Sequence, residues 1–175
     1  AIFLSPTIGM AIAMALVLGT SWMFRAFQPR KAENTFKVMH LFSSAAYSIS
    51  HGGNDAQKTM GIITVLLYST GYLKGEFHVP EWVVLSCYAA IAAGTLSGGW
   101  KIIKTMGTKI TKLNHHTGFC ASTAGSIVVF GASSLGIPIS TTHAITGSVI
   151  GTGVARRTSA VRWGVAANVV AAWFI

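Results

Sequence analysis

Two short polar stretches interrupt an otherwise apolar chain, and both carry groups that handle ions. The first is His51-Gly-Gly-Asn-Asp-Ala-Gln-Lys58. It places a carboxylate and an ammonium between Val38–Asn54 and Thr59–Leu73, neither of which has a formal charge. Charge inside an apolar run costs a few kcal/mol even on gentle insertion scales, so Asp55 and Lys58 need a function or a partner. The second is Gly136-Ile-Pro-Ile-Ser-Thr-Thr-His143, with three consecutive hydroxyls and no charge.

Ser44, Tyr47/Ser48, His51, Asn54/Asp55 and Lys58 recur at three- and four-residue spacing, which is one face of a helix. A polar seam between helices explains the serines well and the Asp55 charge poorly, because Asn would seal without it. Asp55 and Lys58, at i and i+3, could also pair only with each other. The functional reading gives Asp55 a coupling cation or a proton, as carboxylates in membrane bundles often mark ion paths. Gly52 and Gly53 would expose carbonyls to that ion and let a substrate approach the chain closely.

In the second stretch Ser140 follows Pro138 and opens a helical run, so it is a good N-cap. The free N–H groups of the first turn, the helix dipole and the hydroxyls of Ser140, Thr141 and Thr142 together make an anion site. An ordinary cap with spare hydroxyls is the plainer alternative, and His143 reads as a structural histidine. An anion beside ionised Asp55 meets a repulsion of roughly 4 kcal/mol at about 4 Å and an effective dielectric near 20. A bound Na⁺, or a proton on Asp55, removes it. Cation and anion then bind as a pair, so the two stretches predict symport rather than a channel.

Composition fixes the surroundings of these groups. Only 10% of the 175 residues are charged and mean hydropathy is +0.57, against roughly 25% charged in soluble domains. Uncharged runs cover Ala1–Phe24, Trp82–Trp100 and Leu113–Ala155. Runs of this length, about 18 residues or more, predict an integral membrane protein. The net charge of +9 does not imply nucleic acid: eleven of the thirteen Lys/Arg fall in three clusters at the ends of apolar runs. That is the positive-inside pattern, so the loops over 25–37, 101–112 and 156–162 are expected on the cytoplasmic side. Cys87 and Cys120 lie in apolar runs without metal spacing and read as reduced, buried residues.

The predicted fold class is all-α, a polytopic membrane helical bundle forming one transmembrane domain over 1–175. Ile2–Phe24 is a span. The 38 residues Phe36–Leu73 would run roughly 57 Å as one straight helix. The segment must lie partly in the interface, tilt strongly or break, and Gly52-Gly53 is the expected break, giving a discontinuous helix. An external loop is expected over 71–81, then a span Trp82–Trp100 with Trp at both ends and a Gly94-x-x-x-Gly98 pair for close packing. Leu113–Ala155 enters from one basic cluster and leaves into another. It forms either two full spans or a re-entrant helical hairpin, its arms packed through Gly147 and Gly151. The uncharged hydroxyl tip favours the hairpin, since irregular backbone at membrane depth survives where it lines a cavity. Another span begins at Val161. The chain opens at Ala1 and closes within an apolar run, so a fragment of a longer chain is expected.

Through these two motifs the chain resembles the inorganic phosphate transporter (PiT) family. HGGNDAQKTMG at 51–61 and GIPISTTHAITGSVIGTGVARR at 136–157 carry the resemblance, in order and separated by a basic loop. It looks like the C-terminal of the family's two inverted repeats. The resemblance implies a plasma-membrane symporter of phosphate with Na⁺ or H⁺, its substrate held between the repeats, and dimers as a family habit. It implies phosphate contacts from Ser140, Thr141 and Thr142 with Asp55 close by, and cation contacts from Asn54, Asp55 and Gln57. Partners are then the bilayer, phosphate, the N-terminal repeat and a second copy; no cofactor is implied. An anion channel, or a carrier of sulfate or arsenate, is the alternative. A hydrolase built on Ser140, His143 and Asp55 is disfavoured, because no G-x-S-x-G elbow is present.

Overall fold

The computed structural model describes residues 2–73 and 77–173. The described residues form six α-helices: α1 (Leu4–Met23), α2 (Pro29–Ser69), α3 (Glu81–Lys104), α4 (His115–Ser134), α5 (Thr141–Arg156) and α6 (Trp163–Ala171). A π-helical turn, Thr105–Ile110, prolongs α3, and a short 3₁₀ turn, Thr158–Ala160, precedes α6. No strand occurs among the described residues.

α1 buries Ser5, Gly9, Ala13, Val17 and Thr20 at helical spacing, a stripe of mostly small side chains. That stripe lies on α5, and the two backbones come very close. A Cβ at Gly9 would stand 2.7 Å from the Ala144 carbonyl oxygen, and one at Gly147 or Gly151 would overlap the backbone of Pro6 or Met10. The expected use of Gly147 and Gly151 is therefore corrected: they seat α5 on α1, not on the other arm of the hairpin. Gly94 and Gly98 meet no atom within 4 Å, so their close packing is not realised within this chain.

α2 runs unbroken for 41 residues, roughly 60 Å. The break expected at Gly52-Gly53, and with it the discontinuous helix, is not found; neither glycine takes a positive φ. Two glycines cost about 1 kcal/mol each against Ala, whereas unpaired backbone groups in an apolar setting cost several kcal/mol apiece. The continuous ladder wins. α2 serves two neighbours in turn: Ser43, Ser50 and Asn54 lie buried on its side toward α4 and the hairpin turn, while Ala56 and Met60 pack with Val83 and Cys87 of α3.

Two of the expected basic loops are also largely helical. Residues 29–37 belong to α2, and 101–110 to the end of α3 and its π turn. Basic side chains do not end a helix when they can extend into polar surroundings. The external segment expected over 71–81 has 74–76 outside the described residues, and α3 already begins at Glu81. The outgoing segment expected from Val161 forms α6, with 174–175 outside the described residues.

α4 and α5 form a helical hairpin. α4 starts with a capping box: Asn114 Oδ1 accepts from Thr117 N at 2.9 Å, and Thr117 Oγ1 accepts from Asn114 N at 2.9 Å. It ends at Gly136, whose φ of 68° lets Ile137 N reach back to the Ala132 carbonyl at 2.9 Å. Such a left-handed residue closes helices and strongly favours glycine. Val128, Val129, Ile139 and Ala144 knit the two arms together. Much of the outer surface is apolar, with Leu96 88% exposed and Trp22, Trp82 and Trp100 also outward. α1 and the helix from Glu81 to Ile110 are long and apolar enough to cross a bilayer. Cys87 and Cys120 are free and buried, as read from the sequence.

Candidate functional site

The two polar stretches, some 80 residues apart in sequence, meet where α2 passes the hairpin turn. Ser140 caps α5: its backbone is extended at φ −87° and ψ 118°, and its hydroxyl accepts from His143 N at 3.4 Å. Thr141, 2% exposed, is the first residue of the helix and donates its hydroxyl to Asp55 Oδ2 at 3.2 Å. The Asp55 carboxylate thus stands at the N-terminal end of α5, where the helix dipole and free N–H groups favour negative charge.

Asp55 is surrounded by donors from its own helix as well. Asn54 Nδ2 and Lys58 Nζ lie 3.2 and 3.4 Å from its Oδ1, and His51 Nδ1 lies 3.5 Å from its Oδ2. The histidine contact is close but not aligned as a hydrogen bond, and Nδ1 has no hydrogen-bond partner among the described residues. His51 also stacks on Tyr47, whose hydroxyl donates to the Thr141 carbonyl at 3.2 Å. The carbonyl of Ile139, left free by the irregular turn, accepts from Asn54 Nδ2 at 3.2 Å and from Lys58 Nζ at 2.5 Å. Ser133, at the end of α4, adds a long contact to Asn54 Oδ1 at 3.4 Å.

Of the residues singled out from sequence, Asn54, Asp55, Ser140 and Thr141 are brought together here. Gln57 lines a cavity of about 200 Å³ shared with Asn54, Lys58, Ser133 and the turn. Thr142 is exposed and faces elsewhere, onto a cavity of about 490 Å³ lined also by Lys109, Asn168 and Trp173. Gly52 and Gly53 are half-buried, yet a Cβ on either meets nothing within 4 Å. They mark neither a break in the helix nor a close approach within this chain. Lys58, read from the sequence only as a possible partner of Asp55, belongs to the cluster by contact. Ser133 and the Ile139 carbonyl carried no signal of their own; only the pairing of the two stretches reveals them.

Chemically, the cluster offers a carboxylate, an amide and a backbone carbonyl to a cation, and hydroxyls at a helix N-terminus to an anion. The chain belongs to the phosphate transporter family, whose pattern it matches over residues 1–175. It is 61% identical over its full length to a probable low-affinity inorganic phosphate transporter of Rhizobium meliloti, covering 52% of that protein. It is 37% identical to the protein of the same description from Bacillus subtilis, covering 53%. A solved structure described as the sodium-dependent phosphate transporter superposes with a TM-score of 0.70 at 30% identity, over 97% of this chain and 51% of that one. The chain spans about half the length of the curated relatives it matches.

Proposed function

We propose that this chain acts as one repeat of a longer plasma-membrane carrier that moves inorganic phosphate together with a cation. Asp55, Asn54, Ser140 and Thr141 supply its half of the binding site. The observation that carries this reading is the 3.2 Å contact between Thr141 Oγ1 and Asp55 Oδ2. It puts the only acidic side chain of the apolar region on the donors an incoming phosphate would use.

Phosphate and Asp55 then compete for one helix N-terminus. Two negative charges cannot share it without a penalty of up to about 4 kcal/mol. A cation held by Asp55, with Asn54 and Gln57 contributing, or a proton on Asp55, lifts that penalty and couples the two binding events. Lys58 has a place in this scheme. Its ammonium lies between Asp55 Oδ1 and the Ile139 carbonyl, two oxygens that suit a small cation. It is a tethered stand-in that must yield when the ion arrives. Gln57 borders the adjacent cavity from the exposed side of α2.

On this reading the hairpin is re-entrant and its tip lies near the bilayer midplane. The meeting there of uncharged hydroxyls, an irregular turn and Asp55 supports that depth. The basic ends of α3 and α5 then face the cytoplasm. The open space over Gly52 and Gly53 leaves room for a second repeat. The test is uptake of labelled phosphate into proteoliposomes holding the longer carrier that includes these residues. Accumulation is expected only with an inward Na⁺ or proton gradient, and uptake indifferent to both gradients refutes the proposal.

A further inference from the structure

Two basic clusters that are far apart in sequence come together at the opposite end of the hairpin from the phosphate site. Lys112 follows the π turn after α3, and Arg156, Arg157 and Arg162 follow or end α5. The Arg162 backbone N–H donates to the Ile110 carbonyl at 2.9 Å, which ties the two segments to each other. Between them lies a cavity of about 650 Å³. All four cationic side chains line it, together with Leu18 and Ser21 from the last turns of α1.

None of these four side chains makes an ion pair with a described residue, and no carboxylate lines the cavity. Four like charges around one hollow repel only weakly where they are exposed and screened, but together they attract an anion. Helix C-terminal carbonyls offset part of the charge, but only a fraction of one unit per helix. On the α1 side Val17 and Leu18 line it beside Ser21; Leu18 is exposed on a helix long enough to cross a bilayer. A charged hollow at a helix end that opens onto an apolar helix flank fits a phosphate group carrying acyl chains. Basic pockets of this kind between transmembrane helices hold anionic headgroups.

We propose that this cavity is a binding site for the headgroup of an anionic phospholipid, separate from the transport site. The phosphate of the lipid sits among Lys112, Arg156, Arg157 and Arg162, and its chains run along Leu18. The chemistry shared with the transported substrate is a phosphate oxyanion, so the test must distinguish a lipid from free inorganic phosphate.

The experiment is native mass spectrometry of the full chain in a neutral detergent, titrated with phosphatidylglycerol, phosphatidylcholine or inorganic phosphate. One phosphatidylglycerol adduct is expected to be retained well above phosphatidylcholine. Arg156→Gln with Arg162→Gln should weaken it by roughly fivefold for each charge removed. Arg30→Gln with Lys37→Gln, which removes two charges away from the cavity, should leave it within about twofold. Melting temperature without lipid, measured on both pairs, separates loss of the site from loss of the fold. Equal weakening by the two pairs, no preference over phosphatidylcholine, or displacement of the lipid by millimolar inorganic phosphate would each overturn the proposal.

Discussion

Thr141→Val is the sharpest probe of the site, because it removes one hydroxyl and leaves the side-chain shape. Thr141 is 2% exposed, so its packing against the hairpin is preserved by Val while the donor to Asp55 is lost. A hydrogen bond to a charged group contributes about 1.5–3 kcal/mol. In the state described here much of that loss is recovered, since the Asp55 side chain is 35% exposed and water can replace the hydroxyl. If phosphate is enclosed between two repeats, as proposed, no water is available to do so. The cost therefore falls on the bound state, and affinity for phosphate should drop by about tenfold or more. Thr142→Val is the matched control. Its side chain faces the other cavity, beside Lys109 and Trp173, and the change should stay within about twofold. Phosphate dependence of uptake in proteoliposomes measures both. Equal losses from the two variants, or no loss from Thr141→Val, would refute the geometry argued for the anion half of the site.

Three further outcomes follow from the structure. Gly151→Val should lower the melting temperature in detergent by roughly 2–12 °C, because a Cβ there meets the Met10 backbone; Gly94→Ala, with open space around it, should not lower it. Replacing Gly52 and Gly53 together by Ala should stabilise α2 by about 0.5–1 kcal/mol per site, since both are helical and unobstructed within this chain; a lower melting temperature would show that a neighbour fills the space over them. Lys58→Met should raise apparent affinity for the coupling cation by up to about fivefold, the worth of a partly exposed ion pair. Unchanged cation dependence of uptake would remove Lys58 from the site.

Much of the site was legible because charge in an apolar chain has few explanations. Asp55 and the 140–142 hydroxyls stood out by residue type in an apolar chain, and the family resemblance implied that Asp55 lies close to them without saying which hydroxyl would reach it. Ser140 as a cap followed from its type and from Pro138 before it. Division of labour among the three hydroxyls was not legible, since consecutive residues of a helix point about 100° apart and sequence does not say which faces inward. The break at Gly52-Gly53 failed because local propensity is weaker than an intact ladder in an apolar environment. Gly147 and Gly151 signalled a close contact correctly, but their spacing cannot name the partner, and α1 took the place expected of α4. For Lys58 the sequence offered only an i, i+3 pairing with Asp55; its second contact, to the Ile139 carbonyl, exists only in three dimensions.

On the proposed function, the charge of Asp55 makes cation and phosphate bind together. The most direct measurement is phosphate affinity of the longer carrier titrated against Na⁺ and, separately, against pH, for the native protein and for Asp55→Asn. In the native protein affinity should strengthen with Na⁺ or with protonation, by a coupling of up to about 4 kcal/mol. In Asp55→Asn the dependence should collapse while phosphate still binds. Full cation dependence surviving in Asp55→Asn would contradict the account.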